Sequence, residues 1–316
     1  MKLFRNFLQA VIFICCLFLA VNEGIAQSAN SGKSEVALPI TALDEQTGAS
    51  FEPTKEKIKI FLGKFEQTIT SIVPAETPAK IVFMVDFSGS MRHLFSDPLK
   101  IKGAFRQFFQ ASNPGNEYAL IAFNVNAALV TDWTKKSEDV SAGLDLLTDK
   151  KPQGQTALFD NLVKSMDYLQ TSDSEKKALV LITDGVDKMS TLKRQEIAAK
   201  IGEFHIPLYC IFLEDKEGSG LFPGSSVKLV RNTMVEMGKS AGGEIILVPE
   251  IADLNQAFAK IGNLIRHQFL VKFVPNTGND DKRVNITIKF FSSTNPSKEV
   301  NNLKAFYPQY YIAKKP

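Results

Sequence analysis

Two uninterrupted apolar runs, Ile81–Val85 (IVFMV) and Ala178–Thr183 (ALVLIT), constrain this 316-residue chain more than any other feature, and each stops at an aspartate, Asp86 and Asp184. A strand with no polar alternation has no face to give to water, so each run must be covered on both sides. Between and after them the period turns helical. Helical patterns run over 99–109, 137–147, 157–169, 191–203, 227–239 and 251–267, with further strands at 118–123, 127–131, 207–213 and 244–248. Buried strands alternating with amphipathic helices predict an α/β fold: a doubly wound, mostly parallel sheet with helices on both faces, spanning residues 79–267. In such sheets ligands sit beyond the carboxyl ends of the strands. Asp86 and Asp184 are therefore delivered to the binding edge.

The flanks read as β. Val36–Leu43, Lys57–Leu62 and Phe65–Val73 precede the α/β segment, with a hairpin signal at Gly63-Lys64. Pro74–Pro78 reads as a linker. After residue 267 come Phe269–Val274, Val284–Phe291 and Leu303–Tyr311, with a turn over Asn276–Asp281. Neither group has enough strands to bury a core alone. The expectation is one small β-sandwich built from both flanks, 36–78 and 268–316, with the α/β domain inserted.

Met1–Ala26 reads as a secretory signal: Lys2 and Arg5, then the apolar run Val11–Ala20, then Gly24-Ile25-Ala26 with small residues at the −3 and −1 positions. Its core is short for a bilayer span, so no transmembrane span is expected after cleavage. Phe13-Ile14 stands where a lipobox needs Leu followed by small residues, which counts against lipid attachment at Cys15 or Cys16. Cleavage leaves Cys210, inside the apolar run 207–213, as the single cysteine. An exported chain without an internal disulfide fits a bacterial periplasm or cell surface. Residues 27–35 read as a flexible leader. Their Gly32-Lys33-Ser34 imitates the end of a phosphate-binding loop, but Gln27 stands where the first Gly belongs and no strand precedes it.

Composition removes other classes. With 44% hydrophobic and 22% charged residues the chain is neither disordered nor collagen-like. A net charge of +3 is too near balance for nucleic acid as the main partner. Three His and three Cys in the whole chain leave little for a nitrogen- or sulfur-based metal centre.

The chemistry concentrates at the sheet edge. Asp86-Phe87-Ser88-Gly89-Ser90 follows the first apolar run and puts a carboxylate and two hydroxyls on one tight loop. Gly154-Gln155-Thr156 offers a further hydroxyl at a helix start. Thr183-Asp184-Gly185 adds a carboxylate at the end of the second run. Five oxygen donors, mixed neutral and anionic, suit Mg²⁺, with Mn²⁺ or Ca²⁺ as alternatives, and suit Zn²⁺ poorly.

This pattern resembles the von Willebrand factor type A domains and their metal-ion-dependent adhesion site, over residues 79–267. The resemblance implies that Ser88, Ser90 and Thr156 coordinate by hydroxyl oxygen and that Asp86 and Asp184 form the anionic pair. It also implies a protein-binding, adhesive role in which an acidic side chain of a partner completes the coordination. The flanks are similar to those of bacterial secreted "VWFA-related" proteins, through Leu43–Gly48, Leu62-Gly63-Lys64 and the aromatic tail Tyr307–Tyr311. Gln155 departs from the family's Gly or Asn at that place, and its longer side chain is expected to narrow the pocket.

Each motif has a plainer reading. D-x-S-x-S alone is a strand-ending turn that caps the next helix; Thr156 and Asp184 after the right elements tell against that. A hydrolase elbow fails, because Asp86 and Ser90 occupy its two glycine places. A dehalogenase-like phosphatase wants Asp at 88. The chain is therefore read as no enzyme, with a metal-dependent hydrolase or phosphatase as the weakest alternative. A scaffold or assembly factor with a non-adhesive metal site is the stronger one. His93 could approach the ion but reads as a solvated loop or helix-start residue, Asp187 as a helix cap or a support for the ion's ligands, and Glu214–Ser226 as a connection or a rim loop. The partner, the choice of ion and the oligomeric state are not written in the sequence.

Overall fold

The computed structural model describes residues 35–213, 224–277, 283–292 and 298–312. The expected signal segment, nearly all of the leader, and most of the 214–226 and 276–281 connections lie outside those residues.

The central sheet has six strands in the order β10-β9-β8-β5-β6-β7: β5 (Ala79–Asp86), β6 (Glu117–Phe123), β7 (Ala127–Thr134), β8 (Lys176–Thr183), β9 (Leu208–Leu213) and β10 (Ile245–Val248). All neighbours are parallel except β6 and β7. Alternation along β5 explains why both faces must be covered. Ile81, Phe83 and Val85 enter one core with α1 (Pro98–Ala111), α2 (Ser137–Thr148) and α6 (Leu254–Arg266). Val82 and Met84 enter the other with α3 (Leu158–Gln170), α4 (Arg194–Gly202) and α5 (Gly224–Ala241). The doubly wound α/β fold expected from the two apolar runs is the fold observed. Cys210 is fully buried in the second core, and burial pushes its thiol pKa up.

The flanks form two four-stranded sheets, β13-β1-β11-β4 and β14-β12-β2-β3. Their strands are β1 (Val36–Asp44), β2 (Ile58–Leu62), β3 (Phe65–Glu66), β4 (Ile69–Val73), β11 (Phe269–Phe273), β12 (Arg283–Phe290), β13 (Leu303–Phe306) and β14 (Tyr310–Ile312). Each sheet draws strands from both flanks, as β1 pairs β11 and β2 pairs β12. Leu38, Ile40, Ile58, Ile60, Phe269, Val271, Ile286 and Phe290 share one core between them.

Some details differ from expectation, among them Leu303–Tyr311, which is not one strand: β13 pairs β1 and β14 pairs β12 in the other sheet. Phe65–Val73 is not one strand: β3 pairs β2, whereas β4 pairs β11 in the other sheet. The crossing is made at Gln67, which is 5% exposed and uses its amide to donate to the Phe65 and Asn276 carbonyls and to accept from the Asn276 N–H. The segment after the first motif is a 3₁₀ stretch, Gly89–Ser96, before α1 begins. Residues 251–267 likewise open with a short 3₁₀ turn, Ile251–Asp253, ahead of α6.

Candidate metal centre

From β5 the chain moves outward to β6 and β7, then returns to the opposite side of β5 as β8 and continues to β9 and β10. The strand order therefore reverses between β5 and β8, where open α/β sheets form their ligand crevice. Val85 lies opposite Ile182 in this pair, so Asp86 and Thr183 end side by side, with Asp184 one residue further.

Asp86 is fully buried. Its Oδ1 accepts the Ser88 N–H at 2.9 Å and its Oδ2 accepts the Thr183 hydroxyl at 2.8 Å. Burial pushes its pKa up to about 7, with the charge of Asp184 adding to the rise and the bonds from Ser88 and Thr183 opposing it. The Ser88 and Ser90 hydroxyls lie 3.2 Å apart. Asp184 is half-buried and accepts the Val186 N–H at 3.0 Å. Gly185 takes φ +77°, and a Cβ there would stand 2.5 Å from both Phe212 and Val230. Only glycine permits this turn.

Thr156 reaches the same edge from a separate loop. The Gly89 N–H donates to the Gly154 carbonyl at 3.1 Å and the Gln153 N–H to the Phe87 carbonyl at 3.2 Å. These bonds lace the D-x-S-x-S loop to the Thr156 loop, and Gly154 supplies the positive φ of +82° the path requires. The Thr156 carbonyl accepts the N–H groups of Lys188 and Met189, both at 2.9 Å, tying its loop to the one after Asp184. Thr156 is 1% exposed, and its hydroxyl has no hydrogen-bond partner among the described residues. Gln155 is exposed.

The donor set fits a hard divalent cation. Two carboxylates close enough to repel, a pair of adjoining serine hydroxyls and an unpaired threonine hydroxyl are all oxygen donors. Among the described residues no group of three or more His, Cys, Asp or Glu is placed to hold a metal. His93 is exposed, with Nδ1 3.1 Å from the Ser90 carbonyl oxygen.

Sequence reading missed three residues that organise this edge. Thr183 holds Asp86, and its hydroxyl also accepts the Gly185 N–H at 3.0 Å; its place before Asp184 at a strand end was the available signal. Ser190 reaches the start of α3, accepting its second and third N–H groups. The Asn124 carbonyl accepts from Ala157 N–H and from Asn161 Nδ2. No local pattern marks the last two.

Residues 81–186 match the sequence model of the von Willebrand factor type A domain. No curated protein matches the chain. Among solved structures, it is similar to a von Willebrand factor type A protein from Catenulispora acidiphila, with 12% identity over 82% of this chain and 75% of that one and a TM-score of 0.48. It is also similar to the vWF domain of the type V pili tip protein Mfa5 from Porphyromonas gingivalis (12% identity, 60% and 95% covered, TM-score 0.45). A third is BatB from Bacteroides thetaiotaomicron (15% identity, 58% and 98% covered, TM-score 0.44). At such identities and scores these are likenesses in outline only.

Proposed function

We propose, for a chain whose residues 81–186 are a von Willebrand factor type A domain, that it is an exported protein-binding module whose adhesion depends on a divalent cation. Domains of this family commonly mediate protein–protein interaction and are typically not enzymes. Asp86, Ser88, Ser90, Thr156 and Asp184 would hold the ion, Mg²⁺ or in its place Mn²⁺ or Ca²⁺. When bound, the ion supplies a Lewis-acidic position for a carboxylate oxygen of the partner. The observation that carries this reading is the meeting of Asp86 and Asp184 at the β5/β8 crevice, with Thr156, whose hydroxyl has no hydrogen-bond partner among the described residues, on a loop laced to that of Ser88 and Ser90.

The chain's own part is placement. Thr183 and the Ser88 N–H hold both Asp86 oxygens in a fixed direction, and the laced loops keep Ser88, Ser90 and Thr156 at one edge. With only two carboxylates among the five donors, a bound divalent ion would leave the site without net negative charge toward an anionic group. Export is supported by the signal-like segment Met1–Ala26. Among the described residues no helix is long and apolar enough to cross a membrane.

The test is a thermal melt of the purified protein in EDTA and in Mg²⁺, Mn²⁺ or Ca²⁺, beside Asp86→Ala, followed by partner capture with and without chelator. A melting shift in wild type that Asp86→Ala lacks, with capture lost on chelation, supports the reading. A shift with chelator-insensitive capture favours a scaffold with a structural ion. No shift with any ion in a folded sample sinks the metal-dependent reading.

A further inference from the structure

Helix α3 starts two residues after Thr156 and does not cap itself. Its N-cap residue, Ala157, has no side-chain acceptor, yet the first turn presents free N–H groups that need one. The acceptors come from a loop about thirty residues downstream. Asp187 Oδ1 accepts the Leu158 N–H at 2.9 Å, and Ser190 Oγ accepts the Phe159 and Asp160 N–H groups at 3.0 and 3.2 Å. Ser190 donates its own proton to Asp187 Oδ1 at 2.7 Å, which fixes both side chains.

The exchange is reciprocal. The Asp160 carboxylate accepts the Thr191 N–H, the Thr191 hydroxyl and the Leu192 N–H, each at 2.9 Å. Between these two sets of bonds, the N–H groups of Lys188 and Met189 close on the Thr156 carbonyl. Thr156 is thus held from its carbonyl and from the helix that follows it, by the segment that begins three residues beyond Asp184. Because this loop does the capping, the Thr156 hydroxyl is not consumed by the helix.

We propose that Asp187 and Ser190 are positioning residues for the metal site: they fix the separation of Thr156 from Asp184 and so set the affinity for the ion, without touching it. This rests on the metal-site reading above. Partners behind metal ligands typically change affinity about 10–100-fold when removed. A purely structural cap would instead lower stability and leave ion affinity alone.

The experiment measures Mn²⁺ binding to the full chain by electron paramagnetic resonance of free Mn²⁺, together with melting temperature in EDTA. Wild type, Asp86→Ala, Asp187→Ala, Asp187→Asn and Ser190→Ala are compared. Asp187→Ala and Ser190→Ala are expected to weaken Mn²⁺ binding about tenfold or more. Asp187→Asn keeps an acceptor oxygen for Leu158 and Ser190 and is expected within about threefold of wild type. That rescue separates placement from loss of a negative charge near the ion. If Asp187→Ala does not fold, Ser190→Ala decides. Affinity unchanged in Ser190→Ala and in any folded Asp187→Ala, even with a lower melting temperature in EDTA, overturns the proposal, as does an Asp187→Asn as weak as Asp187→Ala. A wild type that binds no Mn²⁺ overturns the metal-site reading and this proposal together, and is told apart because wild type itself is then silent.

Discussion

Thr183 donates its hydroxyl proton to Asp86 Oδ2 over 2.8 Å, joining the carboxyl ends of two neighbouring buried strands. Neither residue can relax toward water, since both are fully buried. Replacing Thr183 by Val keeps the shape and removes the donor, leaving a buried carboxylate oxygen unsatisfied. The expected loss is about 1–3 kcal/mol in urea denaturation with EDTA present. Thr183→Ser restores the hydroxyl and should recover most of it. A Thr183→Val variant as stable as wild type, with Thr183→Ser the weaker of the two, would show that the methyl packing matters and the hydrogen bond does not.

Asp86→Asn is expected to move two quantities in opposite directions. The carboxylate it replaces is held in a buried place beside Asp184, both of which disfavour its charge. In EDTA at pH 8 the variant should therefore be no less stable than wild type. In saturating Mg²⁺ the order should invert, because only wild type gains the linkage stabilisation, about 2.7 kcal/mol at a hundredfold excess over Kd. Parallel denaturation curves with and without the ion read both. An ion response in Asp86→Asn equal to that of wild type would remove Asp86 from the donor set.

Gly185→Ala should be among the most damaging single substitutions at this edge. The residue sits at φ +77°, and the added carbon would stand 2.5 Å from Phe212 and from Val230, a residue of α5. Left-handed backbone costs an L-residue roughly 1–2 kcal/mol and overpacking typically costs about 1–3 more. A drop of at least about 2 kcal/mol in urea midpoint stability is expected. Gly48, also at positive φ but with open space around it, is the control and should lose less.

What the sequence made legible follows from how local each signal is. Ile81–Val85 and Ala178–Ile182 have no polar position, so burial on both faces, and with it the parallel sheet and the edge where Asp86 and Asp184 emerge, could be read directly. The joining of the two flanks was legible because neither could bury a core alone. The break at Gln67 was not: its amide bonds to Asn276 across a separation of 209 residues, and nothing in the 65–73 alternation records that partner. The cap of α3 was hidden for the same reason. Local rules look for a capping side chain at residue 157, where there is an alanine, and the acceptors lie about thirty residues further on.

Lys176 gives the chain a dependence on alkaline pH whose sign can be worked out. It opens β8 at the end of the sheet remote from the crevice, is 1% exposed, and donates from Nζ to the Ala75 carbonyl at 2.6 Å. Burial lowers its pKa from the ordinary 10.5 to about 8, against a smaller pull upward from Glu76. The folded state therefore releases this proton near pH 8 while the unfolded chain keeps it to about 10.5. Between those values the unfolded state binds more protons, so this group makes stability rise with pH, by at most about 1.4 kcal/mol per unit. Buried Cys210 and Tyr209, whose pKa values are raised by burial, work in the opposite direction at higher pH. The measurement is therefore the stability difference between Lys176→Met and wild type, which cancels them. The variant should be more stable than wild type at pH 7, and its lead should shrink by about 1–2 kcal/mol by pH 9.5. A lead that stays constant across that range would mean Lys176 keeps an ordinary pKa in the folded protein, with water or Glu76 compensating the burial.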